Sequence, residues 1–76
     1  MITLQELVGK SVVNRHRSNK ARVGVIVNAY DNGEKCHPTV LVKWPDYIAP
    51  IEMVWYDLAL AETSENLKDI VIDYSL

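Results

Sequence analysis

The densest chemistry in this chain is a run of cations near its start. It reads Asn14-Arg15-His16-Arg17-Ser18-Asn19-Lys20-Ala21-Arg22, with five potential positive charges once His16 is protonated. Arginine offers phosphate oxygens a planar fork of N–H donors, and lysine offers a mobile point charge. A loop of this composition suits a nucleic-acid backbone, with Arg15, His16, Arg17, Lys20 and Arg22 as the expected contacts. The bland reading of the same run is a solvated, charged loop. Tyr30 or Tyr47 can stack a base, although neither falls within the basic run. The competing ligand is a protein partner that adds to an exposed strand edge or docks on Tyr30, Tyr47 and Tyr56.

Other chemistry finds no support. Cys36 and His37 are adjacent, so on extended chain they point to opposite sides and make neither a thiol–imidazole dyad nor a closely spaced ligand pair. With His16 they are the only soft ligands, short of the four that a structural zinc requires. The carboxylates Asp31, Glu34, Asp46, Glu52 and Asp57 fall in expected turns or on exposed strand positions, not across a cleft as acid/base pairs need. Three glycines leave no phosphate-cradling loop. The expectation is a non-catalytic protein with no metal and no cofactor. The lone cysteine excludes an internal disulfide and fits a reducing, cytoplasmic compartment.

The charge distribution narrows the partner. Net charge is -2 over 76 residues, but the sign is segregated. Residues 1–22 set five cations against Glu6, and residues 23–76 set Lys35, Lys43 and Lys68 against nine carboxylates. A basic segment on an acidic body touches nucleic acid or an acidic protein without coating DNA indiscriminately. With 49% hydrophobic and 24% charged residues, the composition is that of a folded domain rather than a disordered segment. No run of 18 apolar residues and no leader pattern appears, so neither a membrane nor export is expected. Residues 1–76 are read as one domain that buries only about 60% of its unfolded surface.

The elements that must position these residues are mostly strands. Thr3 and Glu6 form a capping box for a helical turn over residues 4–8, with Ile2 and Leu7 as its hydrophobic staple. Gly9 then ends the turn. Strand patterns follow at residues 11–13, 22–30, 39–44 and 51–56, separated by polar or turn-forming stretches. Asp31-Asn32-Gly33-Glu34 matches a type I′ hairpin turn. Centred there, Val25 faces Val40 and Val23 faces Val42. A second turn over residues 45–50 sets Trp44 opposite Ile51, Val42 opposite Met53 and Val40 opposite Trp55. One face of the meander then carries Val23, Val25, Val27, Val40, Val42, Trp44, Ile51, Met53 and Trp55. Lys43 stands beside Glu52 on the other.

Asp57-Leu58-Ala59-Leu60-Ala61 reads as a tight turn and a closing strand. Beyond it, Leu67, Ile70, Val71 and Tyr74 follow the i, i+3, i+4, i+7 spacing of a helix capped by Thr63-Ser64. The β-branched run Ile70-Val71-Ile72 equally suits a strand, or a homodimer seam. Helix is the favoured reading.

Gly24-Val25-Ile26-Val27, Val42-Lys43-Trp44-Pro45-Asp46 and Tyr56-Asp57-Leu58 resemble the glycine-initiated strand, the strand end and the closing turn of SH3-like barrels, the group that includes Tudor, KOW and chromo-type modules. The resemblance spans roughly residues 10–62 and implies a mainly β barrel of about five strands. Small proteins of this kind occur in bacteria and their viruses, which makes a phage or prokaryotic origin an expectation. Leu41-Val42-Lys43-Trp44-x-x-Tyr47 is also similar to the chromodomain run in which two aromatics help to cage a methylated lysine. Such a cage needs several ring faces around the cation. Val23 stands where the third aromatic belongs, and Trp44 is assigned to the core. The expected function is an interaction module serving nucleic-acid machinery, acting as a monomer or homodimer.

Overall fold

The computed structural model describes residues 1–16, 22–31, 33 and 38–74. The chain opens with strand β1 (Ile2–Thr3) and helix α1 (Leu4–Leu7). The capping box forms as the sequence requires. Glu6 N donates to Thr3 Oγ1 at 3.2 Å, and Thr3 N donates to Glu6 Oε1 at 3.1 Å. The Thr3 backbone N–H, and then its hydroxyl, hold the Glu6 carboxyl below its ordinary range. Gly9 takes φ +95°, and its N–H donates to Ile26 O at 2.7 Å, turning the chain into the sheet.

The main sheet contains β2 (Ser11–Asn14), β3 (Gly24–Tyr30), β4 (Thr39–Lys43), β5 (Ile51–Met53) and β6 (Leu58–Leu60), in the order β5-β4-β3-β2-β6. Every pairing in it is antiparallel. Among the described residues β5 and β6 share no ladder. The five strands therefore make one open sheet, and the expected closed barrel is not formed. A 3₁₀ turn, Trp55–Asp57, carries the chain from β5 to β6. The core joins Leu7, Val12, Ile26, Val40, Val42, Trp44, Trp55, Leu58 and Leu67. Trp44 and Trp55 are both buried, as their apolar spacing implies.

Three expectations are corrected. On β3 the outward residues are Val25 and Val27, Val23 just before it is exposed too, and Ile26 points into the core. Val25 pairs with Lys43 and Ile26 with Val42, not Val25 with Val40. Both phases of this strand are apolar, and the core takes the larger Ile26 together with Gly24, against which Trp44 lies. An irregularity between Ile26 and Asn28 then shifts the phase, so Ala29 packs on the core again. The ladder ends with Tyr30 opposite Thr39, and the expected type I′ turn falls on Asn32 and Glu34, which lie outside the described residues. Between β4 and β5 the register differs by two, with Val40 opposite Met53 and Val42 opposite Ile51. An even shift keeps every side chain on its face, but Glu52 now stands across from Leu41 instead of Lys43.

The favoured C-terminal helix is also absent. Leu67–Asp69 is a single 3₁₀ turn, and Ile72–Asp73 forms strand β7, parallel to β1. Ile2 N donates to Val71 O at 3.0 Å. The β-branched run prevails over the helical spacing because a parallel partner, β1, is at hand.

Gly24 gives a sharp test of this packing. A Cβ there would lie 2.6 Å from Val42 Cγ1 and 2.7 Å from Trp44 Cε3. Both side chains are buried and have no room to withdraw. Gly24→Ala should cost about 1–3 kcal/mol through overpacking, a fall of roughly 4–8 °C in Tm per kcal/mol. An unchanged thermal melt would show that Trp44 does not lie against β3.

Candidate nucleic-acid interface

The strand register gathers the candidate residues. β2 leaves the sheet at Asn14, beside Leu58 at the start of β6, and β3 enters at Gly24, beside Val12. β4 ends at Lys43, beside Val25, and β5 starts at Ile51, beside Val42. One end of the sheet thus holds both roots of the 15–23 connection, the 44–50 turn and the Trp55–Asp57 turn. Arg15, His16, Arg22, Tyr47 and Tyr56 all lie on these three segments. Tyr30 does not, because it ends β3 at the opposite end, across from Thr39. Arg17 and Lys20 lie outside the described residues, as do Cys36 and His37.

At the first root the chain is tied to the 3₁₀ turn. Arg15 N donates to Asp57 O at 2.9 Å, and Arg15 Nε donates to Tyr56 O. His16 Nε2 lies 2.9 Å from Asp57 Oδ1, and its backbone N–H donates to Asn14 Oδ1 at 3.0 Å. These contacts fix where the basic connection begins. They leave the rest of each cationic head at a partly exposed surface.

At the second root Arg22 is held on several sides. Its Nη2 and Nε lie 2.9 and 3.0 Å from Asp46 Oδ1. Its guanidinium carbon lies over the Trp44 ring, 4.3 Å from the centroid, and 5.6 Å from that of Tyr47. Lys43 Nζ donates to Trp44 O at 2.6 Å and also to Tyr47 O, and Tyr47 N donates to Trp44 O at 3.2 Å. The 44–47 turn is therefore braced by two cations, one on its carbonyls and one on its rings and carboxylate. Above it stand Tyr47, 45% exposed, and a fully exposed Ile48.

Asp46, Asp57 and Lys43 were not singled out as site residues by sequence, although Asp46 holds Arg22, Asp57 holds Arg15 and His16, and Lys43 braces the 44–47 turn. The only signal was proximity. Asp46 lies two residues after Trp44, and a hairpin register puts Arg22 near the end of β4. Trp44 and Tyr47 both lie near the chain's own Arg22, and Trp44 is buried beneath it, as its assignment to the core expects. The Ile70-Val71-Ile72 run is used internally, since Ile70 and Ile72 pack on the core and only Val71 is exposed. Among the described residues no helix is long and apolar enough to cross a membrane. No protein-family model matches the chain, and no curated protein or solved structure gives a significant match.

Proposed function

We propose that this chain is a non-catalytic interaction module of nucleic-acid machinery that binds nucleic acid at the cationic end of its sheet. The observation that carries the reading is the convergence of the roots of the basic connection with Tyr47 and Tyr56, each about half exposed. Cations that hold phosphates beside rings that stack bases are the two components of a nucleic-acid groove. An SH3-like ancestry of the fold belongs to the same proposal. It is supported by the strand order, in which the last long-sheet strand returns beside the first, and by the short turn that feeds it. So does a cytoplasmic setting, in a bacterium or in the host of a phage.

Direct binding of DNA and RNA oligonucleotides across a salt series tests the proposal. Four phosphate contacts imply a log–log slope of about -3. Arg15→Ala combined with Arg17→Ala should flatten that slope by roughly two contacts' worth. The stability cost should be modest, about 0.5–1.5 kcal/mol, because Arg15 gives up its bond to Tyr56 O. Absence of binding at low salt would favour the protein-partner reading. That reading has its own support in Ile48, a branched apolar side chain fully exposed on a braced turn, and in the open edge at β5.

A further inference from the structure

Arg22 is engaged on more sides than Arg15 or His16 in the contacts of the described residues. Two of its nitrogens face one carboxylate oxygen of Asp46, and its planar face covers the Trp44 ring. A phosphate approaching this guanidinium also meets the Asp46 charge, which offsets part of the attraction. What the arrangement does fix is the 44–47 turn. Arg22 holds its carboxylate and rings, while Lys43 holds the carbonyls of Trp44 and Tyr47. The aromatic residue left outward on this braced turn is Tyr47, with nearly half its surface open.

From this juxtaposition we infer that the ligand is single-stranded nucleic acid, that Tyr47 is a base-stacking platform, and that Arg22 is a positioning residue rather than a phosphate contact. The inference rests on the proposed function and deepens it. Stacking on a side chain needs a base whose face is uncovered, and in a duplex those faces are taken by neighbouring base pairs. No recognition helix is available for a duplex groove among the described residues, where the longest α-helix is the four-residue α1. The acidic remainder of the chain acts in the same direction. Asp46 lies in the turn and Glu52 on β5 just beyond it, and a rigid duplex laid across this end brings dense phosphate charge against them. A flexible strand can follow the cations and avoid the carboxylates.

The test uses fluorescein-labelled oligo(dT) and a mixed-sequence RNA, each of about 20 nucleotides, beside duplex DNA of equal length. Single strands should bind about ten-fold or more tightly than duplex. Tyr47→Ala should weaken single-strand binding by about ten-fold, and Tyr47→Phe should restore it, since the ring and not the hydroxyl does the stacking. Arg22→Lys keeps the charge but loses the planar fork and the stacked face. It should lower affinity several-fold while leaving the salt slope at the wild-type value. Thermal melts of each variant separate these effects from unfolding, and Tyr47→Ala, at a half-exposed position, keeps the test open should Arg22→Lys fail to fold. Duplex binding equal to single-strand binding would overturn the inference alone. So would an Arg22→Lys protein of full affinity paired with an Arg22→Ala protein whose slope is flatter by about one contact. Absence of binding to all three probes would overturn the proposed function and this inference together.

Discussion

Val42→Asp should abolish cooperative folding. Val42 is fully buried on β4, paired with Ile26 on one side and Ile51 on the other. Its neighbours are aliphatic or aromatic, and the buried set among the described residues contains no polar or charged member to receive a carboxylate. Burying such a group without a partner costs several kcal/mol, or forces it to take up a proton. A single core in a chain of this size supplies only about 3–5 kcal/mol in all. The variant should show no thermal transition by circular dichroism. Val25→Asp is the informative comparison, because Val25 faces outward from the neighbouring strand and is 39% exposed. That change should alter stability by no more than about 1 kcal/mol. The simple hairpin register demands that both variants unfold, and the observed register demands that only one does. A cooperative melt of Val42→Asp would overturn the placement of β4 in the core.

Those two positions show what was legible in the sequence and what was not. On β4 only one phase is consistently apolar, with Val40, Val42 and Trp44 alternating against Leu41 and Lys43, and the core face follows from the pattern. On β3 the flanking valines form the more regular apolar series, yet the core takes Ile26 and Gly24. No periodicity signals that choice, because it depends on Trp44 needing a strand without a Cβ to lie against. The phase shift near Val27 is a tertiary event with no local residue signature. The capping box was legible because both of its hydrogen bonds lie within four consecutive residues. β7 was not, because its partner β1 lies some 70 positions away. The same division holds at the candidate site. The basic run declared itself by composition, and the register supplied the rest, by bringing Asp46, Asp57 and Tyr47 to the residues they restrain.

Trp44→Ala should remove most or all of the domain's stability, by about 3–5 kcal/mol. The indole is 1% exposed and touches the region beside Gly24, so truncation leaves a cavity bounded by β3 and β4 that a sheet cannot readily collapse. Trp44 also bears the Arg22 guanidinium, so its loss releases one of the braces on the 44–47 turn. Unfolding and loss of binding should therefore appear together, and stabilising the variant with an osmolyte should recover part of both. Trp44→Phe separates the two roles, since a smaller ring still fills much of the site and still faces Arg22. It should destabilise less than alanine and retain single-strand binding. The decisive result is the order of the losses. If Trp44→Ala melts like the wild type yet binds no oligonucleotide, the indole is itself an exposed ligand platform. Its burial behind Arg22, and with it the assignment of Tyr47 as the stacking surface, would then be wrong.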